Sequence, residues 1–326
     1  MHSGWTRGAA LALAAWGALA PLAQAAEGYP DKAVTLVVPS AAAGGTDTVA
    51  RLMADALGRR LGQSFVVENR PGANGILGVE AGARAAPDGY RLLFTYAATV
   101  VVNPSLYRKL PYDATKDLAP IAQIGRGGNL LLVRKDLPVQ TLQEFVAHAK
   151  ARPGKLSYCS WGAGSGGHLA MESLKKQAGI DMVHVPYKGT SPCVNDLMGG
   201  QVDAAFADVS TTVEIVRAGR LKALATSGPS QLPMLPDVPT MTEAGYPFTN
   251  YSWYGLFAPA KTPPAIVKKL NAAVNDALRE PAFAQRMREL NFPDLQPTTP
   301  EEFSATIAQD LRDWSVLVKA IGLQME

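Results

Sequence analysis

Two glycine-rich turns contain the residues whose types and spacing are best suited to binding a ligand or to chemistry. The first turn spans residues 42–47 and has two adjacent glycines, and the second spans 160–168 and has four glycines. Each turn joins an apolar run to an amphipathic helical pattern, which leaves backbone N–H groups unpaired at the positive end of a helix dipole. Glycines also permit tight turns without any ligand. Two such turns in two halves of the chain nevertheless predict two walls that close on one anion.

The second turn also resembles the nucleophile elbow of hydrolases, with Ser165 in the place of the nucleophile. A hydrolase triad needs an acid and then a histidine later in the chain, but only His168 and His184 follow Ser165, and both are close to it. Neither turn matches a P-loop, because no lysine follows the glycines. The sequence therefore predicts no catalysis. Ser165 is expected to cap the next helix and donate to an anion, while His168 either orients the loop through a backbone bond or contacts the ligand.

The first 25 residues have the pattern of a secretory signal peptide. Arg7 precedes an apolar stretch over 8–22, and Ala23, Gln24 and Ala25 match the small-x-small cleavage rule. The apolar core of this segment is too short for a typical membrane-spanning helix. We therefore expect secretion and cleavage, which leaves roughly 300 residues, enough for two domains.

The composition excludes several classes of function. The formal net charge is +3 and the basic residues are scattered, so no nucleic-acid partner is expected. Cysteine and histidine show no zinc spacing, so neither a metal nor another cofactor is expected. Cys159 and Cys193 fall at one edge of the predicted second domain. They either form a disulfide in an oxidising compartment or remain two buried thiols.

Short apolar runs alternate with helical patterns along most of the chain. Ser191, with Pro192 after it, is expected to cap one helix, and the segment after Tyr96 is expected at the surface. Strands that are apolar on both faces predict a largely parallel sheet covered by helices, with ligands at the carboxyl ends of the strands. Strands are expected at 34–39, 64–68, 91–96, 156–160, 183–186, 203–206, 221–226 and 252–258, and the last helices at 264–278, 281–290 and 300–321.

The two turns belong to a series of motifs that resembles the Bug family, the periplasmic solute-binding components of tripartite tricarboxylate transporters. The resemblance covers the chain from about Tyr29 to its C-terminus. Any one motif is weak, but nine in the same order are specific. The motifs are YPDK at 29–32, GGTDTVAR at 44–51, VENRPG at 67–72, PDGY at 87–90, NPSLY at 103–107, LPYD at 110–113, GAGSGGHL at 162–169, VPYKG at 185–189 and GGQVD at 199–203.

This resemblance implies a type II periplasmic-binding-protein fold, in which two α/β domains enclose a ligand cleft and two strands cross between them. Domain 1 would comprise 26–125 plus 251–326, and domain 2 would comprise 126–250. The implied function is capture of a small organic carboxylate for the membrane subunits of a tripartite tricarboxylate transporter, and a monomer is expected. The alternative is a periplasmic sensor subunit that presents its ligand to a signalling receptor.

In this family one carboxylate is typically held by amides and hydroxyls of the first glycine loop, partly through waters, and the second domain contacts the rest of the ligand. Asp47 is itself an anion, so it is expected to cap the helix or order bridging waters. Arg51 and Arg70 could clamp a carboxylate, although a structural ion pair is favoured for Arg51. By position, the resemblance implicates Ala42, Gly44, Thr46, Asp47, Ser160, Gly164, Ser165 and His168.

The wall of the expected cleft departs from the family pattern. The family often has an aromatic residue where Ser40 stands, a glycine where Ala43 stands, and a smaller residue where Trp161 stands. Trp161 and Tyr96 are therefore expected to face a ligand with an apolar or aromatic body rather than citrate, unless Trp161 packs on the surface beside the loop. Lys188 either meets a second carboxylate or is solvated.

Overall fold

In a computed structural model of the protein, two five-stranded sheets are each flanked by helices. The structure describes residues 28–248, 251–290 and 292–325, and the expected signal peptide over 1–25 lies outside these residues. The described strands, in chain order, are β1 (Val34–Val38), β2 (Phe65–Asn69), β3 (Arg91–Tyr96), β4 (Leu118–Gly127), β5 (Leu130–Arg134), β6 (Ser157–Ser160), β7 (Val183–Pro186), β8 (Ala204–Ala207), β9 (Leu221–Thr226) and β10 (Ser252–Pro259).

The helices follow most of the strands and pack on them. A 3-10 turn over Ala73–Gly75 and a π-helix over Ala98–Val102 accompany the α-helices. The described α-helices are α1 (Gly45–Leu61), α2 (Ile76–Ala83), α3 (Asn103–Leu106), α4 (Leu142–Lys150), α5 (Gly166–Ala178), α6 (Thr190–Met198), α7 (Val209–Arg217), α8 (Pro264–Leu278), α9 (Pro281–Glu289) and α10 (Pro300–Ile321).

The sheet topology confirms the expected class, two α/β domains of the periplasmic-binding-protein type. The first sheet has the order β2-β1-β3-β10-β4 and the second β7-β6-β8-β5-β9. Each sheet contains one antiparallel strand, β10 in the first and β5 in the second, and is therefore mixed rather than purely parallel. Each antiparallel strand follows a connection from the other sheet. Gly128 and Asn129 connect β4 to β5, and the segment 227–251 connects β9 to β10. The chain thus crosses twice between the sheets.

Two local predictions were wrong. The segment after Tyr96 is buried, because the π-helix and α3 turn Val100, Val101 and Leu106 into the core. The helix expected to begin at Pro192, with Ser191 as its N-cap, begins at Thr190, with Gly189 in the N-cap position at a φ of 120° and no side-chain cap. A local pattern of serine and proline could not indicate either outcome, since both depend on distant packing partners.

Helix α10 joins the two halves of the molecule. Its buried face carries Phe303, Ile307, Trp314 and Val318 at helical spacing, and it packs on β4, on the π-helix and on α5 of the second sheet. Lys176 Nζ donates to the carbonyl of Ala320 at 3.1 Å. Within the described ranges, no helix is both long and apolar enough to cross a bilayer.

The two cysteines lie on a strand of the second sheet and on a helix packed against it. Cys159 is in β6 and Cys193 in α6, their Cα atoms are 5.7 Å apart, and their sulfurs are bonded. The bridge closes a sequence separation of 34 residues.

Candidate functional site

A cavity of about 460 Å³ lies between the two sheets. Its volume falls within the range of small-molecule sites. Four helices begin at its wall, because the first residues of α1, α5, α6 and α7 or their N-cap neighbours line it. The lining comprises Ser40 to Thr46, Tyr96, Ala97, Ala98, Gly128, Asn129, Trp161, Gly166, Ala170, Lys188, Gly189, Thr190, Ser191, Pro192, Asp208, Thr211, Ser227, Phe248, Ser252, Tyr254, Phe292 and Trp314.

The first glycine loop forms one wall, and Ala42, Gly44 and Thr46 line the cavity as the sequence predicted they would if the loop holds a ligand. Gly44 is the N-cap residue of α1 and provides no side-chain acceptor, so the first amides of the helix have no cap from it. A carboxylate is the natural acceptor for such amides. The amide of Ala43 is already used, since it donates to Asp47 Oδ2 at 2.8 Å.

Asp47 supports this loop from outside the cavity lining. It is 3 % exposed, and it accepts hydrogen bonds from the amide of Ala43, from Arg51 Nε at 2.9 Å and from Asn69 Nδ2 at 2.9 Å. Asn69 Nδ2 also donates to the carbonyl of Ser40 at 3.1 Å. Burial alone would raise the pKa of the Asp47 carboxyl, but these hydrogen bonds outweigh it and hold the pKa below its usual value. The carboxylate of Asp47 therefore holds the loop in place and does not itself line the cavity.

The two arginines considered as clamps are engaged elsewhere. Arg51 pairs with Asp47, and Arg70 pairs with Glu68. Neither arginine belongs to the cavity lining.

Hydroxyl groups surround the first loop. Ser40 Oγ is buried and has no hydrogen-bond partner among the described residues. The Thr46 hydroxyl lies within hydrogen-bonding reach of the Tyr254 phenol, which in turn lies beside the start of α1. Tyr254 is held there by aromatic contacts to Phe94 and Phe292 and by its pairing with Tyr96 across β3 and β10. Burial and the nearby Asp208 raise the pKa of Tyr254, so the phenol is a neutral donor.

The second glycine loop is placed differently from the first. Ser160, Gly164, Ser165 and His168 were expected to contact ligand, and all four lie outside the cavity lining. Ser165 is the N-cap of α5, and its hydroxyl accepts from the amide of His168. Ser160 Oγ bonds His184 Nε2 at 2.8 Å. His168 Nδ1 accepts from the amide of Gly164 at 2.9 Å, so this histidine orients the loop through a backbone bond.

Gly164 explains why the loop must contain glycine. Its φ is +74°, a left-handed conformation that favours glycine, and an added Cβ would clash with Leu106 Cδ2 from the helix after β3. Met325, near the C-terminus, is the next neighbour. The loop therefore touches the other half of the molecule at this point, and its glycine permits a close approach between the halves.

Trp161 and Lys188 bring the second half into the cavity wall. The indole of Trp161 lies against the first turn of α5, where an added Cβ on Gly167 would clash with its ring. Lys188 is exposed at the end of the wall formed by Gly189 to Pro192, and it forms no ion pair with a described residue.

Sequence reasoning missed four lining residues of particular chemical interest. Asp208 follows β8, and Asn129 precedes β5 next to it, because Ala207 and Leu130 are register partners. Tyr254 enters from β10 and Trp314 from α10. The position of Asp208 at the carboxyl end of a strand was a usable signal. For Trp314, helical spacing with Phe303 and Ile307 indicated burial but not the cavity.

The family comparison agrees with the motifs. Residues 49–323 match the model of the tripartite tricarboxylate transporter family receptor. Protein BugT of Bordetella pertussis is 34% identical over 316 residues, which are 96% of this chain and 96% of BugT.

Solved structures have the same fold. Rpa4515 of R. palustris with adipate is 33% identical with a TM-score of 0.85, and the alignment covers 91% of this chain and 99% of that one. MatC (Rpa3494) from Rhodopseudomonas palustris with bound malate is 36% identical with a TM-score of 0.79, covering 89% and 100%.

Proposed function

The chain belongs to the tripartite tricarboxylate transporter family of receptors, and from this membership we propose that it captures a small organic carboxylate in the cavity between its sheets. The observation that carries the proposal is the convergence of four helix N-termini on one cavity. Each N-terminus brings the positive end of a dipole, and the first N–H groups of α1, α6 and α7 have no side-chain cap. Together they favour an anion over a neutral solute.

The first glycine loop is the proposed seat of the carboxylate. Amides at the start of α1 and the hydroxyls of Ser40, Thr46 and Tyr254 are its donors. The buried Ser40 hydroxyl, which lacks a partner among the described residues, would gain one from the ligand or from a bridging water. The second half contributes Trp161, Lys188 and the start of α6 to the opposite wall.

Binding would work by closure of the two halves around the ligand, without catalysis. We propose the domain boundaries given above, 26–125 plus 251–326 and 126–250, with hinges at the two crossings of the chain. The close approach of Gly164 to Leu106 and Met325 would form on closure. The closed form would then be recognised by the membrane subunits of a transporter, in the periplasm, with the receptor acting as a monomer.

A thermal-shift screen of roughly a hundred organic acids on the mature protein tests this proposal, because bound ligand stabilises the folded state by mass action. Each acid is paired with its primary amide, which has similar size but no charge. An acid at about a hundred times its Kd should raise the unfolding midpoint by about 4–5 °C, and its amide should not. Calorimetry then gives affinity and stoichiometry. A screen in which amides stabilise as well as their acids would refute carboxylate capture.

A further inference from the structure

Asp208 is the charged group of the cavity that the proposed function leaves unexplained. Together with Lys188 it makes up the charged side chains of the described lining. No described lysine, arginine or histidine forms an ion pair with Asp208. An enclosed carboxylate without a cationic partner beside an anion site carries an electrostatic cost unless a ligand group offsets it.

A purely structural role does not account for this carboxylate. Asp208 occupies the N-cap position of α7, but its side chain makes no cap hydrogen bond to that helix. Oδ2 instead accepts from Thr190 Oγ1 at 2.7 Å, across the gap to the start of α6. This bond fixes the carboxylate at the cavity wall between two helix N-termini. Burial raises the pKa of Asp208, while the bond from Thr190 acts in the opposite direction.

Asp208 lies close to the proposed carboxylate seat. The charge of Asp208 raises the pKa of Tyr254, so the two groups are electrostatic neighbours. The Tyr254 hydroxyl in turn would lie 3.4 Å from a Cβ placed on Gly45, at the first residue of α1. Ser210, two residues after Asp208, approaches the same glycine, with its Oγ 3.6 Å from that Cβ position. Asp208 therefore faces the part of a ligand nearest to a carboxylate bound at α1.

We infer that the ligand is a carboxylic acid with a hydrogen-bond donor, an ammonium or a hydroxyl, on the carbon next to the carboxylate, and that Asp208 receives this donor. Such a ligand places its carboxylate on the first glycine loop and its donor on the acceptor oxygens of Asp208. An unsubstituted acid presents only negative charge to Asp208 and is rejected by repulsion. This inference rests on the proposed function and names the chemical class of its ligand.

Calorimetry with matched acids tests the inference. One series is succinate, malate and aspartate, and a second is phenylpropanoate, phenyllactate and phenylalanine, so that the substituent changes from hydrogen to hydroxyl to ammonium in both. In whichever series binds, we expect a substituted acid to bind at least about tenfold more tightly than its parent. Para-hydroxyphenylpropanoate, with its hydroxyl at the far end, should gain nothing. Comparison of the hydroxyl-substituted acid with the ammonium-substituted acid then identifies which donor Asp208 accepts.

Asp208→Asn removes the charge but keeps the shape and can still accept from Thr190. It should weaken the binding of the substituted acid about tenfold. The affinity for the parent acid should stay the same or rise, so that the preference for the substituted acid disappears. Asp237→Asn is the matched control, because Asp237 is exposed and outside the lining. Unchanged thermal midpoints would show that both variants fold.

Two results would overturn the inference while leaving carboxylate capture intact. One is a parent acid that binds as tightly as its substituted relatives in both series. The other is an Asp208→Asn protein that keeps the preference, as expected if Asp208 were protonated and donated to the ligand. If none of the screened acids binds to the wild-type protein, the proposed function itself fails.

Discussion

The histidine stack beneath the second glycine loop should make the stability of the protein depend on pH. The rings of His168 and His184 stack at 3.8 Å with an interplanar angle of 8°. Burial, followed by repulsion from His184, lowers the pKa of His168 from 6.5 to about 4. The charges of Glu172 and Lys175 also face this ring and act in opposite directions. Neutral His168 is required, because its Nδ1 accepts from the amide of Gly164.

The sign of the effect follows from the two pKa values. As pH falls below 6.5, the unfolded chain binds a proton at His168, whereas the folded protein does not until the pH approaches 4. The stability that neutral His168 contributes to the folded protein is therefore fully present above pH 6.5 and is lost as the pH falls from 6.5 to 4. The free energy of unfolding should fall by about 2 kcal/mol from this residue between roughly pH 7 and pH 5, and by about 3 kcal/mol in all.

Urea unfolding over this pH range, in wild type and in His168→Asn, measures the effect. The asparagine Oδ1 can replace Nδ1 as acceptor for Gly164 but does not titrate, so the variant should lose about 2 kcal/mol less than wild type over the window. Other titrating groups contribute to both proteins and cancel. His148→Asn is the comparison, because burial and then Arg152 also lower the pKa of His148 on α4. It should reduce the pH slope too, but less than His168→Asn does. Equal pH slopes for wild type and His168→Asn would refute the reasoning.

Three further predictions concern ligand contacts and the disulfide. Thr46→Val should weaken carboxylate binding about ten- to a hundredfold, since it removes a hydroxyl donor at the start of α1. Calorimetry should show no such loss for Thr48→Val, whose hydroxyl bonds the Gly44 carbonyl at 3.1 Å, and unchanged affinity in Thr46→Val would exclude that hydroxyl from the site. Protein exported to the periplasm and then denatured should show no free thiol, and the Cys159 to Cys193 bridge should add about 3–4 kcal/mol; two titratable thiols would contradict this. Trp161→Ala should weaken aromatic acids more than short aliphatic acids, because the indole lines the cavity. Tightest binding of citrate, together with no effect of the Trp161 change, would disprove the aromatic wall.

Much of the fold could be predicted from the sequence because its boundaries are marked locally. The bounds of β3, β7, β9, α8 and α10 agree with the structure, and prolines or glycines stand at or within two residues of most of their ends. Gly62 ends α1 in a left-handed conformation, as a glycine after the last apolar position predicts. The burial of the π-helix and α3 was not predictable in this way. Their partners are Tyr112 and helix α10, and no local pattern specifies such distant contacts.

The first glycine loop lines the cavity as predicted, but four of the predicted contacts of the second loop lie outside it. The two loops have similar glycine content for two different reasons. At Gly44 and Gly45 the small residues open the start of α1 to the cavity. At Gly164 they permit contact with Leu106 and Met325, which are far away in the sequence. Gly164 needs its positive φ and its missing Cβ, whereas Gly44 has a φ of −82°. Composition alone does not show this difference, so it cannot separate an anion loop from a contact between domains.

Strand ends are a better guide to this site than glycine content. Apart from β2, the parallel strands reach the cavity at their carboxyl ends, and the antiparallel strands β5 and β10, which run the other way, reach it at their amino ends. The residues that line the cavity at or just beyond carboxyl ends include Ser40, Tyr96, Gly128, Trp161, Lys188, Asp208 and Ser227, and those at amino ends are Asn129 and Ser252. Applied to every strand, the rule would have included Asp208. It could not have included Asn129 or Ser252, because the direction of β5 and β10 depends on the two crossings between the sheets, and pairing across such distances is not encoded in any local pattern.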